Sequence, residues 1–343
     1  MNSKDFARMI GVSQPTVSRA LNDSPLVPEE KRKWIKEKAR EYGFVLNNSA
    51  RSLKTSRTNT IGILFPKHFV GMTENIMMAH LYDQIQRELH KRGFDIMVVY
   101  SDTGEDDLSA LERMIRTKKV DGFLILRLEL SDEERKLIGQ EKTPCVCMMN
   151  ASTKVRDDIS YYFSDSEYGG YLAGDFYGDY PDYKKVYISY CQEKDDNTRR
   201  KRGFLRGLQE HGVQEADITI LESELGIREA SRLIHEHKEF FLNNKTAILA
   251  YCDIIGIGVV QGLKEIGVSI PDQAQVIGMD DIPWAFWLDP QLSTLHVDAE
   301  HMVPETCDLL IRMINGQGKA EAGDPEPVHQ WLKPTLILRD TTI

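Results

Sequence analysis

Residues 11–44 read GVSQPTVSRALNDSPLVPEEKRKWIKEKAREYGF, and the reading of this stretch decides how the rest of the chain is understood. Just before it, in KDFARMI (4–10), Phe6, Ala7 and Ile10 share one helical face. Gly11 supplies a tight turn, and Ser13 has the side chain of a good N-cap for a second helix. That helix, Gln14 to Leu21, tolerates Pro15 in its first turn, where a missing N–H leaves no intrahelical bond unmade. Val17, Ala20 and Leu21 point inward and leave Gln14, Thr16, Ser18 and Arg19 outward. Two short helices joined by a glycine-containing turn form the pattern whose second helix enters the DNA major groove N-terminus first. A third helix is predicted from about Pro28 to Tyr42, with Trp34, Ile35, Ala39 and the stem of Lys38 as its inner face, and Gly43 ends it.

Charge agrees with this reading. Residues 1–60 hold 12 Lys and Arg against 6 Asp and Glu, a balance of +6, whereas the remainder holds 31 basic and 47 acidic residues, a balance of −16. A basic head on an acidic body points to nucleic-acid contact confined to one end. At 343 residues the chain is long enough for two or three domains, and 41% hydrophobic with 28% charged residues is an ordinary globular composition. No apolar run approaches the roughly 18 residues of a membrane span, and MNSKDFARMIGVS lacks the charged-then-apolar order of a secretory signal. The expectation is a cytoplasmic protein with no membrane partner. Five scattered cysteines argue against a disulfide framework, and Cys145 and Cys147 read as reduced core thiols. No CxxC or His/Cys cluster has zinc spacing, so neither metal nor cofactor is expected.

From residue 60 onward, strands and helices alternate. TIGILF (60–65), FDIMVV (94–99), GFLIL (122–126) and TPCVCMM (143–149) read as strands. Between them lie an amphipathic helix carrying Met78, Leu81, Tyr82, Ile85 and Leu89, then LSALERMIR (108–116) and DEERKLIG (132–139). After Asp165, itself a helix N-cap by type, the rhythm restarts with KVYIS (185–189) and TRRKRGFLRGLQEHG (198–212). It continues through ITILE (218–222), a helix near 227–241, TAILAY (246–251), IIGIGVVQGLKEIG (254–267) and AQVIGM (274–279). Repeated β-α units mean parallel sheets covered on both faces, and two such halves mean a doubly wound, two-lobed α/β core. Ligands of such sheets bind at the carboxyl ends of the strands, hence between the lobes. No GxGxxG opens a helix and no GxxxxGK[ST] occurs, so a nucleotide enzyme is unsupported. Nor is there a nucleophile–base pair or paired-carboxylate motif: the adjacent Asp280 and Asp281 would seldom face one group.

The stretch 11–44 resembles the headpiece of the LacI/GalR family of bacterial transcription regulators. NNSARSLKTSRTNTIGILFP (47–66) resembles that family's hinge and its entry into the ligand-binding core, and the likeness continues at intervals to KPTLILRDTT (333–342). The pairing of GVS-x-x-TVSRALN with ARSL at this distance is highly specific. The resemblance implies a helix-turn-helix headpiece over 1–46, a hinge helix and linker over 47–59, and an effector-binding, dimerising core over 60–343. That core is expected to be periplasmic-binding-protein-like, with an N-lobe of about 60–160 and 294–324 and a C-lobe of about 161–293 and 325–343.

Roles follow position by position. The resemblance places Gln14 and Pro15 where the family reads base edges and Arg19 where it contacts bases or phosphate. Ser13, Thr16 and Ser18 fix the helix on the DNA backbone, and Asn22 closes the same contact set. In ARSLK, Leu53 matches the residue wedged into the minor groove at the operator centre, and Ala50, Arg51 and Lys54 belong to the same hinge helix. Residues 47–57 are too short and polar to be a stable helix alone, and are expected to order on DNA beside the partner subunit. Leu46 stands where the family usually has Pro before the hinge Asn.

In the core, VIGMDDIPWAFWLDPQLSTL (276–295) makes Asp280 the match for a carboxylate that accepts from ligand hydroxyls, and DDNTRRKRGF (195–204) makes Arg200 the match for a ligand-gripping Arg. Cys252 stands where Asn or Ser commonly touches ligand, with Asp253 beside it, and Met78 falls in Asn75-Ile76-Met77-Met78, which replaces N-P-F-F. The strand after Pro144 leaves either Met149 or Asn150 as the cleft residue. Trp284, like Trp287, is open to three uses: stacking on a sugar, core packing or dimer packing. The expected partners are a near-palindromic double-stranded operator, a small-molecule effector (by family habit a sugar or sugar phosphate) and a second copy of the chain. The function implied is a ligand-responsive regulator, by family habit a repressor of carbohydrate-related genes, and not an enzyme. The alternative is a cytoplasmic sugar sensor without DNA activity.

Overall fold

The computed structural model describes residues 1–21, 23–44, 57–65, 75–99, 110–126, 130–150, 158–191, 195–316 and 326–343, and of Asn150 only the backbone. Two units separate, Met1–Asn59 and Thr60–Ile343. The first contains α1 (Ser3–Met9), α2 (Gln14–Leu21) and α3 (Glu29–Glu41). Asn2 caps α1 by accepting the N–H groups of Lys4 and Asp5, each at 2.9 Å. Gly11 (φ +70°) and Gly43 (φ +59°) occupy left-handed turns after α1 and α3, a conformation that costs glycine nothing. Phe6, Val17, Ala20 and Ile35 are fully buried, and Phe6 stacks on Phe44 at 4.3 Å. Trp34 departs from expectation: it is 39% exposed. Ile35 and Ala39 already meet the other helices, and the Phe6–Phe44 stack fills the small core, so the neighbouring position is left at its rim.

The second unit alternates β1 (Thr60–Leu64), α4 (Ile76–Lys91), β2 (Asp95–Val99), α5 (Ala110–Arg116), β3 (Gly122–Ile125), α6 (Asp132–Gln140), β4 (Cys145–Asn150) and β5 (Ser160–Ser164). It continues with α7 (Ser166–Gly178), β6 (Lys184–Tyr190), α8 (Asp195–Glu210), β7 (Ile218–Ser223), α9 (Ile227–Glu236), α10 (Lys238–Asn243), β8 (Thr246–Ala250) and α11 (Asp253–Glu265). Then come β9 (Ala274–Asp280), α12 (Pro283–Trp287), β10 (Ser293–His296), α13 (Ala299–Ile314), β11 (His329–Leu332) and β12 (Thr335–Ile337). Two six-stranded sheets result, in the orders β11-β5-β4-β3-β1-β2 and β12-β10-β9-β8-β6-β7. The orders correspond strand for strand. Every pairing is parallel except β10 with β12. Apolar cores flank the sheets, as parallel strands require. The helix expected near 227–241 is two helices, broken at His237.

Strand membership moves the lobe boundaries. β5 belongs to the first sheet, so the chain first crosses between Ser164 and Ser166 rather than near 160. β10 belongs to the second sheet, which sets the next crossing after His296 instead of near 294. The largest shift is the last: β11 pairs with β5, so residues 329–332 lie in the N-lobe, where the sequence reading had assigned everything after 325 to the C-lobe. Four residues reading HQWL carry no clear strand pattern, and only the pairing with β5 defines them.

One packing contact positions the site. Helices α7 and α8 meet through glycines, and a Cβ on Gly203 would lie 1.8 Å from the Glu167 carbonyl oxygen. Backbone touches backbone there, which fixes α8 on α7. Among the described residues, no helix is long and apolar enough to cross a membrane, and the five cysteines are unpaired.

Candidate DNA-binding surface and effector cleft

The first unit offers one polar helix face. Ser13 Oγ accepts the Thr16 N–H at 3.3 Å and shares a 2.7 Å hydrogen bond with Thr16 Oγ1, which starts α2 as its residue types suggest. With Val17 and Ala20 buried, Gln14, Pro15 and Arg19 are exposed, and Thr16 and Ser18 are half-buried. The start of α2 thus presents an amide, an apolar ring and a guanidinium outward, backed by a rigid core. Asn22, Ala50, Arg51, Leu53 and Lys54 lie outside the described residues, and with them the hinge reading.

In the second unit a cavity opens where the carboxyl ends of the two sheets face each other. Met77, His80 and Leu81 of α4 and Met149 of β4 line it from one lobe; Met279, Asp280 and Ile282 line it from the other. Val297, Ala299 and Met302, at and after the second crossing, complete it. Met149 (φ +94°), next to last in β4, and Asp280 (φ +119°), last in β9, stand on corresponding strands in backbone conformations that side chains disfavour. Such strain is retained where surrounding structure aims a particular side chain.

Near Asp280 on the C-lobe side, outside the cavity lining, lies a polar cluster that is incompletely satisfied. Arg200 is 2% exposed; its guanidinium carbon sits 4.5 Å from the centre of the Tyr251 ring, and Nη2 lies 3.7 Å from Asp196. Tyr251 donates its hydroxyl to Asp196 Oδ2 at 2.8 Å. Nε and Nη1 of Arg200 and Oδ1 of Asp196 are buried with no hydrogen-bond partner. Buried polar atoms without partners are rare in folded proteins, and three of those among the described residues belong to this one pair, close enough to Asp280 to act on its carboxyl. Burial pushes the Asp280 carboxyl well above the usual range, helped by the nearby Asp253 charge and opposed by Arg200. A neutral carboxylic acid both donates and accepts, so Asp280 has the chemistry to hold a hydroxyl or a ring amide.

Other expected cleft residues have different employment. Asp253, fully buried, accepts the Ile282 N–H at 2.9 Å and the Thr294 hydroxyl at 2.5 Å. It ties the loop after β9 to β10, and burial raises its carboxyl to about 7. Cys252 is buried in the C-lobe core, its thiol pushed up by burial and then by Asp280. Met78 turns into the N-lobe core, leaving Met77, His80 and Leu81 as the cleft face of α4. Met78, Arg200, Cys252 and Asp253 do not line the cavity among the described residues. Of the two β4 alternatives, Met149 lines it; the Asn150 side chain lies outside the described residues. Trp284 is 42% exposed on α12, which excludes core packing, and does not line the cavity. Asp196 and Tyr251 escaped sequence reasoning. The i, i+4 spacing of Asp196 and Arg200 on one helix was the available signal for the first; Tyr251 had none.

Behind Asp280, Asp281 accepts from Arg339 at 2.5 Å and shares a 2.9 Å hydrogen bond with His296 Nδ1. Burial works against its charge, yet these two partners hold its carboxyl below the usual range. The hydrogen bond to Asp281 likewise raises His296. The end of β9 is therefore anchored to the second crossing.

Residues 3–47 match the bacterial regulatory proteins of the lacI family, and residues 184–342 match the periplasmic binding protein-like domain. The chain is similar to the HTH-type transcriptional repressor PurR of Vibrio vulnificus at 25% identity over 338 residues, which cover 98% of this chain and 97% of the relative. Among solved structures, the lac repressor dimer bound to operator and the anti-inducer ONPF superposes with a TM-score of 0.80 at 18% identity, covering 100% of this chain and 99% of the other. A complex of the transcriptional regulator CelR with cellobiose superposes at 0.70 with 22% identity, covering 99% of each chain. At these identities the structural likeness speaks for the fold. A DNA-binding head and a ligand-binding core together define a ligand-responsive transcription regulator. Its head matches the lacI family of bacterial regulatory proteins, and its core matches the periplasmic binding protein-like domain.

Proposed function

We propose that the protein is a repressor that binds a near-palindromic operator as a homodimer and responds to a small molecule held between its lobes. The observation that carries this reading is the buried Arg200, whose unpaired donors lie near the cavity residue Asp280 in a chain that also bears a helix-turn-helix head. Gln14, Pro15 and Arg19 read base edges and phosphate, and Ser13, Thr16 and Ser18 set the register of α2 on the backbone. Leu53, with Ala50, Arg51 and Lys54, kinks the operator centre, and Asn22 completes the head's contacts. The protein works in the cytoplasm, and it is not an enzyme.

Arg200 and Asp280 anchor the effector from the C-lobe, and the thioether wall of Met77, Met149 and Met302 covers an apolar ring face. A sugar has both a polar edge and such a face, which supports a carbohydrate effector, as does the cellobiose in the CelR complex. The cavity measures about 40 Å³, room for a few water molecules. A ring-sized ligand therefore requires the lobes to part. A ligand preferring one lobe orientation shifts DNA affinity by its differential affinity for the two states.

Two measurements test the reading. Duplexes selected by the protein from a randomised library should bind with a steep negative dependence on salt. Gln14→Ala should weaken the selected duplex by about 1–3 kcal/mol and leave random duplex binding unchanged. Absence of any selected sequence would overturn the DNA-binding role. A panel of sugars, sugar phosphates and purines should include one compound that raises the melting temperature. Stabilisation by purines alone would overturn the carbohydrate assignment.

A further inference from the structure

Two consecutive arginines on α8 stack on aromatic rings of different lobes. The guanidinium carbon of Arg200 lies 4.5 Å from the centre of Tyr251, which directly follows β8 in the C-lobe. That of Arg199 lies 4.4 Å from the centre of Trp331, on β11 of the N-lobe sheet. Successive side chains leave a helix about 100° apart, so one helix addresses both lobes through neighbouring residues.

Each end of the Arg199 contact leads to a crossing between lobes. Trp331 packs edge-on against Tyr161 (5.8 Å) and Phe163 (5.7 Å) of β5, the strand that runs into the first crossing. Trp331 also stands just before the third crossing, between Leu332 and Thr335. Arg199 Nη2 meets Asp165 Oδ1 at 3.4 Å, and the same oxygen accepts the Tyr168 N–H at 3.2 Å to cap α7. Nε of Arg199 is buried without a hydrogen-bond partner, and the group is held between the Trp331 face and Asp165.

We propose that Arg199 is a positioning residue that couples occupancy of the effector cleft to the orientation of the two lobes. When Arg200 moves to engage a ligand, α8 carries Arg199 across the face of Trp331, and the first and third crossings follow. A cation over a ring is attracted without a fixed hydrogen-bond direction, so the contact slides and still holds. The glycine contact that seats α8 on α7 makes the helix move as one piece with the segment after the first crossing. The proposal rests on the reading of the protein as a DNA-binding regulator whose lobes report to its head.

The test uses the full-length protein and a duplex that the wild type selects from a randomised library. Arg199→Gln and Trp331→Leu should each change the Kd for that duplex at least fivefold without added ligand, in the same direction. The double variant should change it no further, and Arg199→Lys should fall closer to wild type. Binding to a random duplex should stay within twofold for all four. A merely structural contact would lower the melting temperature and leave the Kd of the folded protein unchanged. Selected-duplex affinities within twofold of wild type, or additive effects in the double variant, would overturn the coupling role while the regulator reading stood. If the wild type selects no duplex, the regulator reading fails first and the coupling proposal falls with it.

Discussion

The two lobes share a strand order and furnish the cleft with apolar walls that differ in one charged group. The N-lobe contributes Met77, Leu81 and Met149, with His80 as its polar group among the described lining. The C-lobe contributes Met279, Ile282 and Asp280, the last with Arg200 and Asp196 nearby and Tyr251 bonded to Asp196. Charge in a poorly hydrated site is directional and strong, whereas thioether contact is adaptable and nearly non-directional. The same scaffold used twice has thus divided its work. On the proposed reading, the C-lobe grips the effector through Asp280 and Arg200, and the N-lobe closes over it.

The sharpest way to break this comparison is to remove the grip. Arg200→Met leaves Asp196 buried without its counter-charge, which should cost about 3–5 kcal/mol in urea unfolding and abolish any ligand-induced rise in melting temperature. Met149→Leu on the opposing wall keeps volume and polarity, and should cost less than about 1.5 kcal/mol and only tune the response. Equal losses in the two variants would refute the division of labour.

The support beneath the grip should be equally uneven. Gly203→Ala forces a Cβ into the Glu167 carbonyl and should destabilise by about 3 kcal/mol or prevent folding. Gly139→Ala on α6 of the N-lobe has open space around it, and should stabilise by about 0.5–1 kcal/mol. A mild effect at Gly203 would mean that α8 is not seated by backbone contact.

A subtler contrast is pH. Burial lifts the Asp253 carboxyl to about 7 in the folded chain, above its unfolded range. Its neutral form is therefore the favoured one. Its contribution to stability is full below about pH 4, is lost as pH rises toward 7, and is constant above. Thermal melts across pH 4–8 should show this decline in the wild type and a flatter profile in Asp253→Asn. A decline of the same depth in the variant would assign it to other groups.

What could be read from sequence was local. Gly11, Gly43, Ser13 and the Val17/Ala20 spacing each act within one turn of their own position, and the structure repeats them. Asp280 and Arg200 were singled out through family likeness; Asp280 lines the cavity, and Arg200 lies near it without lining it. Met77 against Met78 was not legible, because one residue of helical phase decides which side chain faces the cavity and which the core. Asp253 was misjudged for a related reason. Its carboxylate is consumed by Ile282 and Thr294, which lie about 30 to 40 positions away and come close only once β9 and β10 pair.

By itself, then, the sequence determined the helix-turn-helix head and the repeated β-α rhythm, and it singled out Asp280 of the cavity. Hydrophobic period, capping and turn chemistry are properties of neighbours along the chain. Tertiary structure alone decided where the chain passes between lobes, that residues 329–332 return to the first sheet, and that Arg199 and Arg200 face different lobes. Those outcomes depend on strand pairing and on the desolvation of charged groups. Both are settled by residues that meet only when the fold closes.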